Sequence, residues 1–146
     1  MADVDIRPAR PGDFEAVTRL LRSAGLPVED LSVERMADFL VASSRGLLAG
    51  AIGLEAHPQV GLLRSLVVDP GSRATGVGRL LVTALEAHAR RRGLTELWLL
   101  TIDADRYFQA RGYVAKPRDT APQAIRRTAE FSRLCPGNAT LMQKTI

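Results

Sequence analysis

The chain has 146 residues, of which 46% are hydrophobic, and this length suits one sizeable core better than two, so we expect a single domain over residues 1–146. Its only cysteine is Cys135, which excludes an internal disulfide and a cysteine-based zinc cluster. No apolar run reaches about 18 residues, and Met1 to Arg10 is charged where a signal peptide needs an apolar stretch. We therefore expect a soluble, cytoplasmic protein with no membrane partner and no bound metal.

The formal net charge of +4 fits nucleic acid, an anionic membrane surface or an anionic small molecule as a partner. The tight basic run Arg90-Arg91-Arg92 ends a predicted helix just before Gly93, where cations complement the helix dipole and glycine supplies the C-cap. No aromatic platform for stacking bases accompanies this run. We therefore expect no nucleic-acid partner, and we leave a homodimer open.

In chain order, the first half of the sequence predicts a strand, two helices and three further strands. Apolar residues at helical spacing, from Phe14 to Leu21, follow the turn Pro11-Gly12-Asp13 and predict the first helix. Ser32 is placed to cap a short second helix. The strands are predicted over residues 4–7, 40–43, 47–55 and 60–68, and the last three form an antiparallel meander.

The second half of the sequence predicts alternating helices and strands. A helix begins near Gly76, and Asp103 is the expected N-cap of the next helix. The predicted helices cover residues 76–92, 103–111 and 122–133, and the predicted strands cover residues 94–101, 112–116 and 139–144. This order describes one mixed sheet with helices on both faces, which is an α/β or α+β architecture.

The stretch from Leu62 to Leu85 is the most informative part of the chain, because it predicts a strand, a turn and an amphipathic helix. Asp69-Pro70-Gly71 ends the strand, since proline cannot continue a ladder. Arg73-Ala74-Thr75-Gly76-Val77-Gly78 then lies where unpaired helix N-terminal amides meet the positive end of the helix dipole. This arrangement indicates an anion site, with an ordinary strand-to-helix turn as the alternative. No Gly-Lys-Ser/Thr follows, which excludes a phosphate loop, and Leu81 replaces the third glycine of a dinucleotide motif.

Three motifs in chain order carry a family resemblance. The first is Asp5-Ile6-Arg7-Pro8-Ala9-Arg10-Pro11-Gly12-Asp13, the second is Leu66-x-Val68-x-Pro70 followed by Arg73-x-x-Gly76-x-Gly78, and the third is Tyr107-Phe108-x-x-x-Gly112-Tyr113. Together they resemble the GNAT superfamily of N-acetyltransferases over almost the whole chain. The resemblance implies a mixed, mostly antiparallel sheet flanked by helices, with a V-shaped notch for acetyl-CoA between the central strands.

The same resemblance implies how acetyl-CoA, the cosubstrate, is held. Backbone amides between Ala74 and Arg79 hold the pyrophosphate, and the central strand pairs its backbone with the pantetheine arm. An amide of that strand, of Val68 or of its neighbour Val67, holds the acyl carbonyl. The implied cofactor-binding residues are Leu66, Val67, Val68, Arg73, Ala74, Thr75, Gly76, Val77, Gly78 and Arg79.

A narrower resemblance concerns the acceptor. Gly53-Leu54-Glu55, Leu62-Leu63-Arg64-Ser65-Leu66 and Ala124-Ile125-x-x-Thr128-x-Glu130-Phe131-x-x-Leu134-Cys135-Pro136 are similar to small amino-acid acetyltransferases, including those associated with arsenic resistance and with glutamate acetylation. This similarity implies direct transfer, in a ternary complex, to the amine of a small amino acid or amino-acid analogue. Two alternatives stay open: a protein N-terminus or polyamine as acceptor, and a module that binds acyl-CoA without turnover.

The groups that would move protons in such a transfer are less clearly marked. Glu55, at the end of an apolar strand, is the candidate base, and a solvated strand end is its alternative. Glu96 and a bound water are rivals for the same role. Many members of the superfamily carry tyrosine four residues before the glycine matched to Gly112, where this chain has Phe108. Tyr107 lies one helical position away, so we expect it to pack rather than react.

Arg64 is the candidate substrate-binding residue. It lies within an apolar stretch of the central strand, where an unpaired charge is costly, so a carboxylate partner is expected. Glu55 is the internal choice, and a substrate carboxylate is the one we favour, because a guanidinium suits two-pronged carboxylate binding. Ser65 is predicted on the opposite face of the strand, where its hydroxyl adds a hydrogen bond to one side of the cleft.

Overall fold

The computed structural model describes residues 4–73 and 75–146, and these form one seven-stranded sheet in the order β1-β2-β3-β4-β5-β7-β6. Five of the six strand pairings are antiparallel, and the β4–β5 pairing is parallel. The strands are β1 (Asp5–Pro8), β2 (Phe39–Ser44), β3 (Leu47–Ala56), β4 (Val60–Val68), β5 (Glu96–Thr101), β6 (Val114–Lys116) and β7 (Thr140–Thr145). The predicted fold class, a mixed and mostly antiparallel sheet flanked by helices, is confirmed.

Four α-helices and several shorter turns connect the strands. The helices are α1 (Phe14–Ser23), α2 (Val77–Arg91), α3 (Asp105–Ala110) and α4 (Gln123–Arg126), and Glu130–Leu134 forms a π-helical turn, called the π turn below. Among the helices in the described ranges, none has both the length and the apolar content needed to cross a membrane. The short helix predicted after Ser32 is a 3-10 helix over Glu34–Asp38, and the hydroxyl of Ser32 accepts a hydrogen bond from the Arg35 amide at 3.3 Å, as a cap should.

Two predictions about the second half of the chain are wrong. The helix expected over residues 122–133 is broken, because α4 ends at Arg126 and the chain re-forms as the π turn. Thr128 lies at the break, where its hydroxyl donates to the Ile125 carbonyl at 2.7 Å and accepts from the Phe131 amide at 3.3 Å. Asp103 does not cap α3, because Ala104 takes the N-cap position. The amide of Ala104 donates to the hydroxyl of Thr101 at 3.0 Å.

The core lies on both faces of the sheet, which explains why the central strands are apolar throughout. On one face, α2 packs Leu81 and Leu85 against sheet residues that include Ile52. On the other face, α1 and the segment around Ile125 cover the remaining apolar side chains. Because both faces are covered, β3 and β4 are buried over most of their length, and polar side chains within them need partners.

β4 and β5 diverge along their length, and this divergence opens a notch in the sheet. They pair at three positions, Val60–Leu62 against Glu96–Trp98, and beyond these positions the described residues of the two strands share no register. The carboxyl-terminal half of β4 therefore has one paired edge, towards β3, and one open edge. This is the V-shaped notch that the family resemblance implied.

A β-bulge interrupts β4 beside the notch. Val67 is the register partner of Ala51, whereas Arg64 is the partner of Gly53, so one extra residue of β4 is accommodated between them. Ser65 has a φ of 60°, in the left-handed region that residues with a side chain seldom adopt. The bulge therefore changes which way the side chains around Ser65 point.

Gly53 allows β3 and β4 to pair beneath the ring of Phe39, and its replacement tests this close packing. We expect Gly53→Ala to lower the free energy of unfolding by about 1–3 kcal/mol, because the added methyl group overlaps the Phe39 ring. Gly137→Ala is the matched control, since nothing lies within 4 Å of its added methyl group. Urea denaturation measures both, and equal stabilities would contradict the packing described here.

Candidate active site

The turn after β4 leads directly into the amino terminus of α2. The carboxylate of Asp69 accepts a hydrogen bond from the Gly71 amide at 3.0 Å, which forms the turn that the sequence predicted there. Gly76 then caps the helix with a φ of 85°, a left-handed conformation that favours glycine. The sequence therefore ends the strand and starts the helix over a short turn, and the amino terminus of the helix lines the same cavity as the end of β4.

Unpaired amides at the start of α2 face a cavity of about 510 Å³. Leu80 donates to the Gly76 carbonyl at 3.1 Å, so within the described residues the amides of Val77, Gly78 and Arg79 precede the first helical hydrogen bond. These amides and the helix dipole make the corner attractive to an anion. Of the predicted cofactor-binding residues, the cavity lining includes Leu66, Val67, Val68, Arg73, Gly76, Val77, Gly78 and Arg79.

Thr75 and Ala74 are the two remaining predicted cofactor-binding residues. Thr75 is exposed, and its hydroxyl donates to the Ser72 carbonyl, so the side chain stabilises the turn. Ala74 lies outside the described residues. Their roles stay predictions.

The open edge of β4 presents the backbone of Val68, and not that of Val67. The Asp69 amide donates to the Ala49 carbonyl of β3 at 2.8 Å. Because successive amides along a strand point to opposite edges, the Val67 amide also points towards β3 and the Val68 amide points towards the notch. The Arg73 Nε donates to the Val68 carbonyl at 3.3 Å, which confirms that this peptide edge is free of β3. Of the two amides considered for the acyl carbonyl, that of Val68 is the one that faces the notch.

A second cavity, of about 490 Å³, fills the space between the diverging strands. It adjoins the first cavity, because Leu66 and Tyr107 line both. Leucine side chains from β4 and β5 make much of its wall, and the polar groups on it include those of Arg64, Ser65 and Glu130. The two cavities together therefore join an anion-binding corner to a partly apolar chamber with a charged wall.

Arg64 is buried, with 2% of its surface exposed, and three carboxylates surround its guanidinium. Asp30 binds it in a two-pronged way, at 2.5 Å to Nη1 and 2.9 Å to Nη2. Glu55 lies 2.8 Å from Nη1, and Glu130 lies 3.1 Å from Nη2. The sequence left an internal and a substrate carboxylate open as partners, and the structure supplies Glu55 together with two internal acids that were not foreseen.

Ser65 lies on the same side as Arg64, so the prediction that it points to the opposite face is wrong. Its hydroxyl accepts a hydrogen bond from Arg64 Nε at 3.0 Å, and both residues line the second cavity. The physical reason is the bulge, because the left-handed conformation of Ser65 breaks the strict alternation on which the prediction depended. Ser65 nevertheless lines the second cavity, and its role towards the substrate stays a prediction.

Asp30 and Glu130 differ in their ionisation. Burial raises the pKa of Glu130 to about 7; the charge of Arg64 opposes this rise, and the charges of Asp30 and Glu55 add to it. Burial is the largest single influence on the pKa of Asp30 and acts to raise it, but the hydrogen bonds to Arg64 and the charges of Arg64 and Arg35 together hold that pKa below its ordinary value. Asp30 is therefore the firm counterion, and Glu130 is the acid that exchanges a proton near neutral pH.

Neither of the predicted bases lies on the wall of the two joined cavities. Glu55 contacts Arg64 and also Arg35, at 3.1 Å, and it opens onto a third cavity of about 400 Å³ that Arg127 also lines. Glu96 accepts a hydrogen bond from the Trp98 indole at 2.9 Å, at the end of β5 that is paired with β4. The base role of Glu55 stays a prediction, and these contacts do not favour it.

Tyr107 is the residue that the sequence interpretation undervalued. Its ring lines both cavities, and its hydroxyl is buried without a hydrogen-bond partner among the described residues. The hydroxyl lies 2.7 Å from where a side chain on Gly78 would begin. Phe108 packs instead in the core, edge-on against Tyr113. The signal for Tyr107 was present in the motif, displaced by one position, and only the orientation of α3 shows that its hydroxyl reaches the notch.

A model of the acetyltransferase (GNAT) family matches residues 13–116, which is most of the chain. The protein belongs to the GNAT acetyltransferase family. The resemblance inferred from the three sequence motifs is therefore confirmed. Membership of this family makes the protein an acyltransferase that uses acetyl-CoA as its cosubstrate, as expected.

Curated relatives of this acetyltransferase differ in how much of their length it covers. It is 32% identical over 134 residues to an uncharacterized N-acetyltransferase of Chlorobaculum tepidum, a match that covers 86% of this chain and 85% of that protein. It is 33% identical over 111 residues to an amino-acid acetyltransferase of Ralstonia nicotianae, but this match covers 74% of this chain and only 25% of the relative. The chain thus spans about a quarter of that longer protein.

Solved structures show the same fold at lower sequence identity. N-acetylglutamate synthase of Neisseria gonorrhoeae, complexed with coenzyme A and N-acetyl-glutamate, superposes with a TM-score of 0.85 at 22% identity, covering 99% of this chain and 35% of the synthase. The Mycobacterium tuberculosis protein Rv2747 superposes with a TM-score of 0.82 at 21% identity, covering 97% of this chain and 99% of that one. At these identities, the likeness establishes the fold of the acetyltransferase.

The buried guanidinium of Arg64 is expected to stabilise the acetyltransferase strongly. Arg64→Met leaves the buried carboxylates of Asp30 and Glu130 without their cation and Glu55 with Arg35 alone, so we expect it to lower the free energy of unfolding at neutral pH by about 3–5 kcal/mol. Arg35→Met is the control, because the Arg35 side chain is 43% exposed and contacts Glu55 alone among the acids of the cluster, so a loss of at most about 1 kcal/mol is expected. Urea denaturation measures both, and equal losses would show that the cluster does not depend on Arg64.

Proposed function

We propose that residues 1–146 act as a single N-acetyltransferase domain that transfers the acetyl group of acetyl-CoA to the amine of a small amino acid or amino-acid analogue, directly, in a ternary complex. The observation that carries the proposal is the pair of adjoining cavities, one at the anion-binding start of α2 and one between β4 and β5. A donor and an acceptor can occupy them side by side. The amino-acid acetyltransferase activity named for a relative supports the class of acceptor.

On the donor side, the amides from Ala74 to Arg79 would hold the pyrophosphate, assisted by the charge of Arg73. The open edge of β4 from Leu66 to Val68 would pair with the pantetheine arm as a neighbouring strand does. The Val68 amide, which faces the notch, would donate to the acyl oxygen as negative charge develops there. Of these groups, the amides of Val68, Val77, Gly78 and Arg79 face the cavities.

On the acceptor side, Ser65 and Arg64 lie on the wall of the second cavity. Because three internal carboxylates already surround Arg64, a substrate carboxylate would have to compete with them, and this lessens the support for a clamp. The excess of acid around Arg64, of which Glu130 reaches that wall, favours a second candidate function, in which the acceptor is a cationic amine without a carboxylate, such as a polyamine or a protein N-terminus. The wall would then attract the ammonium group.

The rate at which thiol is released from acetyl-CoA tests these functions with the purified chain. The panel of acceptors contains glutamate, other amino acids, phosphinic and arsonous analogues, a polyamine and a short peptide. We expect a small amino acid or analogue to stimulate release most strongly. Stimulation by the polyamine or peptide alone would support the second candidate, and tight CoA binding with no stimulation would contradict transfer altogether.

The anion site is tested by charge reversal at the two ends of α2. Arg79→Glu places a negative charge in the first turn beside the proposed pyrophosphate, so we expect the KM for acetyl-CoA to rise about tenfold or more. Arg91→Glu is the matched control, because Arg91 is also exposed but lies in the last turn. Steady-state kinetics with varied acetyl-CoA measures both, and an equal rise would contradict a site at the amino terminus.

Tyr107 is proposed as the group that gives a proton to the departing thiolate, because its unpartnered hydroxyl lies where the two cavities meet. We expect Tyr107→Phe to lower kcat about a hundredfold with little change in the KM for acetyl-CoA. Tyr113→Phe is the control: its hydroxyl donates to Glu86 at 3.0 Å in the core, so its loss affects stability and not kcat. An unchanged kcat for Tyr107→Phe would exclude this role.

A further inference from the structure

We propose that Glu130 accepts the proton that the acceptor amine must lose, from its place on the wall of the notch. This inference rests on the proposed N-acetyltransferase function and names the residue that performs one step of it. It differs from the sequence-based choice of Glu55, which faces another cavity.

The position of Glu130 gives it access to an amine in the second cavity. It begins the π turn, its side chain is only 6% exposed, and it lines the chamber between β4 and β5 together with Arg64 and Ser65. Turns of this type occur often at functional sites, because the extra residue redirects a side chain. Here the turn follows the break at Thr128 and directs Glu130 inwards.

Hydrogen bonding leaves Glu130 the least engaged of the three acids around Arg64. Asp30 uses both oxygens on the guanidinium, and Glu55 contacts Arg35 in addition to Arg64. Glu130 contacts Arg64 through Oε2 alone, and its Oε1 has only the thiol of Cys135, at 3.9 Å. Within the described part of the chain, Glu130 is thus the carboxylate of the cluster with an oxygen available to a ligand.

Burial and the neighbouring ionisable groups together set the pKa of Glu130. These groups are Arg64 on β4, Asp30 after α1, Glu55 on β3 and Cys135 after the π turn, while the guanidinium of Arg118 stacks on the neighbouring ring of Phe131. Burial raises the pKa of the Cys135 thiol to about 11, so the thiol is uncharged near pH 7. Arg64 is the cation in contact with Glu130, and burial leaves Glu130 with a pKa of about 7, which suits a general base.

The transfer balances with Glu130 in this role. The ammonium form of the acceptor gives one proton to the Glu130 carboxylate, and the neutral amine nitrogen then forms its bond to the acyl carbon. As the bond between carbon and sulfur breaks, the nitrogen loses its second proton and the thiolate gains one, so the products are the amide and the free thiol. Glu130 returns its proton to solvent, and the overall reaction releases one proton.

The pH dependence of kcat/KM for the fastest amine of the panel tests the inference. For the unmodified protein we expect kcat/KM to fall as the pH drops through about 7, because Glu130 becomes protonated. Glu130→Gln should lower kcat/KM at pH 8 about a hundredfold and remove that fall, and Glu130→Asp should restore part of the rate together with the fall. Ionisation of the amine itself is common to all variants, so the comparison isolates the side chain.

Glu55→Gln discriminates between the two acids. If Glu130 is the base, removing the nearby negative charge of Glu55 lowers the pKa of Glu130, so the fall in kcat/KM moves to lower pH and persists. If Glu55→Gln abolishes the fall while Glu130→Gln retains it, Glu130 is not the base, although the acetyltransferase function stands. If the unmodified protein acetylates no amine of the panel, both the function and the inference are overturned.

Stability gives a readout of Glu130 that needs no turnover. Its pKa in the folded state, about 7, lies above its ordinary value of 4.5, so the folded protein binds this proton more tightly than the unfolded chain. The contribution of Glu130 to the free energy of unfolding then declines as the pH rises from about 4.5 to 7, and Glu130→Gln should lack this contribution. Urea denaturation across this range measures the difference, and parallel curves for both proteins would overturn the inference.

Discussion

The buried guanidinium of Arg64 is the interaction on which the arrangement around the notch depends. It joins β4 to Asp30 after α1, to Glu55 on β3 and to Glu130 on the π turn, so a single cation holds four separate segments. Such a cluster is costly to desolvate and becomes costly to break once formed, because any acid left alone is buried unpaired. The same cation holds the acidic wall of the chamber in a fixed position and so shapes the surface that an acceptor meets.

Two irregularities in β4 convert an ordinary sheet into a binding site. Its divergence from β5 leaves backbone groups near Val68 without strand partners, and its bulge brings Ser65 to the side of Arg64. Both occur beside the turn that leads to α2, so the helix amino terminus, the open strand edge and the charged wall lie next to one another. The chemistry proposed for the acetyltransferase needs all three, and one strand supplies or positions each of them.

Local signals in the sequence predicted most of the fold and the donor corner. Periodicity located the strands and α2, and the turn at Asp69 and the glycine at Gly76 act over neighbouring residues, so they could be interpreted without tertiary information. The partners of Arg64 could not be predicted in this way, because Asp30 and Glu130 are distant from it in sequence and only the folded chain brings them together. The bulge at Ser65 carries no local marker such as glycine, and it reversed the expected side-chain direction. The break at Thr128 likewise has no glycine or proline to mark it, so periodicity predicted one continuous helix over residues 122–133, whereas the hydroxyl of Thr128 competes for the hydrogen bonds of that helix.

At the open edge of β4, the sheet of this protein can accept one further strand. A pantetheine arm that pairs there supplies to the backbone what a further strand would supply, and the folded state then gains energy that the unfolded chain cannot. Occupancy and folding stability are therefore linked by mass action: at a ligand concentration a hundred times the Kd, the folded state gains about 2.7 kcal/mol. Acetyl-CoA bound in the proposed way would therefore stabilise the folded enzyme as well as supply its acetyl group.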